Sequence, residues 1–197
     1  IRYFMISNGP EKRDTDFTWR EFVNTHNGEL LGAYGNFVNR SLVFIQKYLG
    51  NRVPQAQSMP DIVKGLNGLY AAAGNAIEQG SIKEALESIF AYVRSANKFF
   101  DDEQPWITVK SDPDRCNETM NACVQIIANL SNLLEPFLPF SSAMVRSFLS
   151  IEKPAWKAVQ IAAGLELKHV EILFERIDKK AVQQEETRLK QNLVTQG

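Results

Sequence analysis

The sequence predicts an all-α protein: an antiparallel bundle of about five helices with a C-terminal docking helix. Apolar residues recur at helical spacing over several stretches long enough to be helices. Breaks rich in Gly, Ser and Pro separate those stretches, at Gly50-Asn51, Gly80-Ser81, Pro105 and Pro136 to Pro139. No stretch shows the sustained alternation of a half-buried strand.

In chain order, residues 1–6 are short and apolar, the tail of a helix or of a strand, and Asn8-Gly9-Pro10 ends them. The longest helix is expected over residues 17–50. Asp16 suits its N-cap, and Thr18 with Glu21 has capping-box spacing. At ~100° per residue, Leu30, Tyr34, Val38, Ile45 and Tyr48 share one face, widened by Leu31, Leu42 and Leu49. Asn36, Arg40 and Lys47 fall on the opposite face. Gly32 and Gly35 lie mid-helix, each at a cost of ~1 kcal/mol relative to Ala, which suits close approach by a neighbouring helix or a ligand. Gly50-Asn51, with Pro54 just beyond, is a C-terminal stop.

A second helix is expected over 61–79, with Ile62, Leu66, Leu69, Ala73 and Ile77 in phase. Ser81 and Glu84 have the spacing of another capping box. The third helix, 82–103, carries Leu86, Ile89, Phe90, Val93, Ala96, Asn97 and Phe100. Pro105 ends it, because the residue before a proline is pushed out of the helical region. A fourth helix is expected over 114–134 and a fifth over 141–149, joined by the proline corner around Pro136 and Pro139. Residues 153–166 read as looser, 170–174 as short and apolar, and 178–194 as a mostly polar helix. Trp19 and Trp156 read as packing residues, His26 and His169 as surface or capping residues.

The 197 residues are enough for one sizeable core. A net charge of −1, from 22 basic and 23 acidic residues, argues against nucleic-acid binding by bulk electrostatics alone. Cys116 and Cys123 are two helical turns apart and read as free thiols sharing a core face. Their spacing is no metal knuckle, and with two histidines in the chain no zinc site is expected. No apolar run approaches the ~20 residues of a membrane span. Phosphate-binding glycine loops and nucleophile elbows are absent. Asp101-Asp102-Glu103 reads as a solvated helix end. The chain starts at Ile1 with no signal-peptide pattern, which predicts a fragment of something larger.

What remains is a binding surface. Arg40, Lys47 and Arg52 stand in a stretch with no acidic residue between Gly35 and Pro54. Asn36 offers a donor and an acceptor suited to a base edge, and Arg40 a planar fork. Trp106, after a helix-ending proline, could project as a platform for an unstacked base.

At these residues the sequence resembles the anticodon-binding domain of the methionyl-tRNA synthetases. The resemblance runs through Asp16-Phe17 to Phe22-Val23, Asn27, Glu29-Leu30, Gly35-Asn36-Phe37-Val38-Asn39-Arg40 and Phe44-Ile45. It continues through the segment from Asn97 to Pro105-Trp106, the corner Leu134-Glu135-Pro136-Phe137-Leu138-Pro139, and Leu173-Phe174-Glu175-Arg176-Ile177-Asp178. It implies the helical bundle of a class I aminoacyl-tRNA synthetase, reading the CAU anticodon of the methionine tRNA. Trp106 would stack on the first anticodon base. Asn36 and Arg40 would hold the unstacked bases, with Asn97 and Lys47 in support.

The family's HIGH-type and KMSKS-type motifs for ATP and methionine do not occur here. The fragment is therefore expected to be non-catalytic and without a cofactor of its own, within an ATP-dependent cytoplasmic ligase. Its partners would be the tRNA(Met) anticodon stem-loop and the missing catalytic domain of the same chain, with no membrane. The expected division is a connector over 1–16, the anticodon-binding bundle over 17–150, and a linker with a docking helix over 151–197. The alternatives are a helical protein–protein interaction domain, or the equivalent domain of a leucine, isoleucine or valine synthetase. Pro105-Trp106 and the Asn36/Arg40 spacing favour methionine.

Overall fold

The computed structural model describes residues 1–9, 17–56 and 60–178 and, near the C-terminus, 180, 182, 183, 185, 187 and 188. The helices are α1 (Arg2–Ser7), α2 (Trp19–Thr25), α3 (Asn36–Tyr48), α4 (Pro60–Glu78), α5 (Ile82–Glu103), α6 (Pro105–Ser111), α7 (Pro113–Leu133) and α8 (Pro139–Phe148). Between α2 and α3 the chain stays helical but widens into a π-helix over His26–Gly35. So the predicted long helix is present as one rod from Trp19 to Tyr48, with a change of helix type inside it. The rod, α4, α5, α7 and α8 are the five expected members of the bundle. α1 settles the helix-or-strand ambiguity of residues 1–6, and α6 is a short helix the sequence reading did not separate. Among the described residues there is no strand, and the one isolated bridge pairs Arg52 with Glu166.

The breaks act as their chemistry dictates. Gly50, Asn51 and Gly80 take positive φ values of 64°, 59° and 77°. Pro105, Pro113 and Pro139 each open a helix, where a missing N–H costs no hydrogen bond. Asp112 caps α7 by accepting from the Arg115 N–H at 3.1 Å. Thr18 caps α2, accepting from the Glu21 N–H at 3.2 Å. Asp16 lies outside the described residues. Ser81 is the N-cap residue of α5, but its side chain makes no capping bond. With ψ at 62° its backbone is not in the extended form that aims a cap side chain at the first turn.

The core is continuous. Tyr34, Phe37, Val38, Leu42 and Ile45 of the rod meet Ile89, Phe90 and Val93 of α5 and Met120, Ile127 and Leu130 of α7. The 100° phase places Val38, Leu42 and Ile45 correctly. It misses Phe37 and Phe44, both buried, and misplaces Tyr48, which is half exposed at the end of the rod. Gly35 does permit a close approach, made by Phe174: an added Cβ would lie 3.1 Å from that ring. Gly74 makes the same room for Trp156, whose ring also meets Tyr70 edge-on at 5.7 Å. Trp19 packs edge-on to Phe17 and Phe22 at 5.1 and 6.0 Å.

Residues 151–178 form an extended strap held mostly by amide side chains. Asn129 accepts from the Val159 N–H and donates to its carbonyl, both at 2.9 Å. Gln125 does the same with Ile161 at 2.8 and 2.9 Å. Asn27 repeats the pattern on Ile177 at 3.0 and 2.9 Å. His26 meets the Glu175 carbonyl at 2.8 Å, which calls for the proton on Nε2, and His169 is exposed. The polar helix expected over 178–194 falls largely outside the described residues.

Cys116 and Cys123 are free and buried on one face of α7. Burial pushes the Cys123 thiol up to about 12, a rise moderated by Ser41 and by the Arg40 charge. Burial raises the Tyr70 phenol to about 12 as well, and that of Tyr34 in the same direction. Each of these groups holds its proton more tightly folded than unfolded. The stabilisation they give is therefore complete below the unfolded thiol value of about 8.5 and is lost as pH rises towards 12. The urea midpoint is expected to fall steadily between pH 8 and pH 11, and a flat profile would contradict this. Below pH 8 both thiols should stay silent to a thiol reagent until urea unfolds the chain.

Candidate nucleic-acid interface

α3 begins at Asn36, so the register of the α-helix starts at the first candidate residue. Asn36 is exposed, and its side chain makes no hydrogen bond among the described residues. One turn on, Arg40 leaves the rod and lies over Phe100 of α5, its guanidinium carbon 4.2 Å from the ring centroid. One of its nitrogens donates to Asp101 at 2.7 Å. The guanidinium is thus stacked on one face and tethered at one corner, which leaves donors free for a ligand.

Phe100 is also the neighbour of Trp106: the ring centroids are 6.0 Å apart and the planes 38° from one another. Trp106 stands in the first turn of α6 with 46% of its surface exposed. The turn that aims it passes through Gln104, a non-glycine residue at φ 47°. Such a conformation costs of order 1–3 kcal/mol and persists where the surroundings over-determine it. Here Pro105 is buried behind it, and the Gln104 carbonyl accepts from the Ile107 and Thr108 N–H groups at 2.8 and 3.0 Å. The fold therefore joins Arg40, Phe100, Asp101 and Trp106 into one contact chain, across 66 positions of sequence between Arg40 and Trp106.

Asn97, one turn before Phe100 and Asp101 in α5, donates to the Ala33 carbonyl of the π-helix at 3.1 Å. It faces the rod rather than solvent, and its buried Oδ1 has no hydrogen-bond partner. Lys47 is exposed two turns beyond Arg40, with its ammonium 5.2 Å from the Tyr48 ring centroid. The basic stretch is less positive than its own sequence suggests. Arg52 is paired with Glu166 at 2.9 Å, and Arg40 with Asp101. Asp101 and Asp102 are exposed, as the solvated-end reading expects, but all three carboxylates of Asp101-Asp102-Glu103 are ion-paired. They bind Arg40, Lys98 and Arg115 respectively, at 2.7, 2.6 and 2.6 Å. Among the described residues no group of three or more His, Cys, Asp or Glu is placed to hold a metal ion. No helix there is long and apolar enough to cross a membrane.

Sequence reasoning missed Phe100 and Asp101 as parts of this surface. Phe100 fits the core stripe of α5 and is indeed buried. Its side chain is nonetheless the floor on which the partly buried Arg40 and the exposed Trp106 both rest. The signal was its position five residues before Pro105-Trp106.

The family profile described as the anticodon binding domain of methionyl tRNA ligase matches residues 53–192. The chain belongs to the methionyl-tRNA ligase family. Residues 1–42 match a second profile, that of the methionine-type class I tRNA synthetases. A methionine–tRNA ligase of Bacillus cereus is 55% identical over 185 residues, covering 94% of this chain and 34% of the relative. One from Alkaliphilus oremlandii is 47% identical over 189 residues, covering 96% and 35%. The apo methionyl-tRNA synthetase of Mycobacterium tuberculosis superposes with a TM-score of 0.81 at 25% identity, over 90% of this chain and 38% of that one. Its methionyl-adenylate complex gives 0.80. This methionyl-tRNA ligase chain thus spans about a third of the length of its curated relatives. Its residues 53–192 correspond to their anticodon-binding domain.

Proposed function

We propose that the chain reads the CAU anticodon of the methionine tRNA, within a longer cytoplasmic ligase that joins methionine to that tRNA at the expense of ATP. Residues 17–150 form the reading domain, with the strap over 151–178 held against it, and residues 1–16 connect it to the catalytic domain. The observation that best supports this reading is the Arg40–Phe100–Trp106 arrangement: a tethered cation and a half-exposed indole share one aromatic floor.

In this reading an unstacked cytosine lies on the Trp106 indole, where stacking is worth about 1–3 kcal/mol. Arg40 donates to the next bases or to the phosphate between them. Asp101 and Phe100 hold its fork in place before the RNA arrives, so little rotamer freedom is lost on binding. Asn36 supplies a donor and an acceptor to a base edge, Lys47 meets a phosphate, and Asn97 supports the rod behind Asn36. Methionine and ATP chemistry belongs to the rest of the ligase, and no residue of this chain is assigned to it.

The test is a titration of the chain with a CAU stem-loop and with stem-loops of altered anticodon, at two salt concentrations. The CAU loop should bind at least about tenfold more tightly, one base-specific contact's worth. With Arg40 and Lys47 as the phosphate contacts, log K should fall against log salt with a slope between about −1 and −2. Equal affinity for all loops would sink the reading. Absence of any salt-dependent RNA binding would favour a protein-interaction domain.

A further inference from the structure

The π-helix lies where it has the most leverage on the proposed reading face. It ends at Gly35, so the Asn36 N–H reaches back to the Leu31 carbonyl, five residues away, as well as to Ala33. A turn closed at five residues instead of four rotates everything after it about the rod axis, relative to a continuous α-helix. Asn36 and Arg40 are the first residues after that rotation. A slip of one residue would turn them by about 100°. Arg40 would then leave Phe100 and Asp101.

Helices of this type are rare and appear mostly as single-turn bulges, so a run of 10 residues persists where something holds it. The sequence makes room at two glycines. A Cβ on Gly32 would lie 3.0 Å from the Asn27 carbonyl, and one on Gly35 would lie 3.1 Å from the Leu30 carbonyl. Tertiary contacts grip the segment from both sides. From α5, Arg94 binds Glu29 at 2.8 Å, and Asn97 holds the Ala33 carbonyl. From the strap, Phe174 fills the space beside Gly35, and Glu175 and Ile177 bond to His26 and Asn27. The strap therefore terminates on the segment that sets the direction of Asn36 and Arg40.

We infer that the π-helix is the register-setting element of the anticodon face, and that Asn27, through its two-way clamp on Ile177, is a positioning residue for Arg40 and Asn36. The inference rests on the proposed anticodon reading. Asn27 touches no RNA in this account. It acts by holding the strap against the segment that orients the residues that do.

The test compares the chain with its Asn27→Leu variant, which keeps the side-chain size and removes both hydrogen bonds. Each is titrated with CAU and altered stem-loops, well below its urea midpoint. Asn27→Leu should lose about tenfold in CAU affinity, the effect of one misdirected charge-assisted contact. Its affinity for the altered loops should change less than about twofold, so that discrimination itself falls. A merely structural role would lower the urea midpoint and leave the discrimination ratio unchanged, which would overturn the inference. Should Asn27→Leu fail to fold, Phe174→Ala serves instead. It releases Gly35 from a half-buried strap position, and the same loss of discrimination is expected. If the unaltered chain does not discriminate, the anticodon reading itself fails and the inference with it. If the chain discriminates and both variants discriminate equally well, the inference alone fails.

Discussion

Replacing Trp106 by Ala is expected to weaken binding of a CAU stem-loop by roughly 1–3 kcal/mol, between about fivefold and 150-fold. The indole is 46% exposed and rests tilted on Phe100, so its removal uncovers a floor rather than opening a cavity. Stability should therefore change by less than about 1 kcal/mol, and the binding loss will not be a folding loss. Trp106→Phe keeps a stacking face and should retain most of the affinity. Loops with an altered first base should lose much less than the CAU loop, because they have less stacking and base recognition to lose. Fluorescence or calorimetric titration of the two variants reads the effect directly. An equal loss on every loop would mean that Trp106 supports the fold of the surface and does not select a base.

Replacing Arg146 by Ala is expected to cost about 3 kcal/mol of stability, or about 6–12 °C in the thermal midpoint of a chain of this size. Arg146 of α8 has 8% of its side chain exposed. It donates to Glu135 at 2.6 Å and to the buried Ser131 carbonyl at 3.2 Å. Removing it strands a carboxylate and a main-chain acceptor at the turn between α7 and α8. The figure sits at the low end for a broken buried pair because Glu135 is 30% exposed, and water can reach the orphaned carboxylate. Replacing both partners by apolar residues, Arg146→Met with Glu135→Leu, should recover much of the loss. Urea unfolding of the single and double variants decides it. A single-variant loss below 1 kcal/mol would show that the pair contributes little.

The helices were legible because their signals are local. A proline at the first position, a glycine past the last one and a capping side chain each act within a few residues, so Pro113, Gly50, Gly80 and Thr18 could be read in isolation. The π-helix could not be read, because a phase analysis at a constant 100° per residue assumes the α geometry that His26–Gly35 abandons. Leu30 and Tyr34 of that segment are buried even so, and the stripe's misses lie in α3, where Phe37 and Phe44 are buried and Tyr48 runs past the core.

The candidate surface was legible in its exposed members and not in its supports. Asn36 and Arg40 share a helix, so their spacing is visible. That Arg40 rests on Phe100, and that Asp101 and Glu166 offset Arg40 and Arg52, are facts of tertiary contact between residues 60 or more apart. No property of the basic stretch announces them. Trp106 was found by its neighbouring proline and by family resemblance. The positive φ at Gln104, which swings α6 into place, has no glycine to mark it.

The grip of α7 on the strap has a bearing on how this region can drift in sequence. Asn129 and Gln125 contact the peptide groups of Val159 and Ile161, not their side chains. Any residue that keeps an N–H can stand at those strap positions without breaking the bonds. The constraint falls unequally on the two partners: substitutions should accumulate at the exposed strap positions, while the buried Ile161 and Leu167 and the amides of α7 tolerate few. A proline at position 159 or 161, which would remove the N–H, is the exception that a library of strap variants should reject.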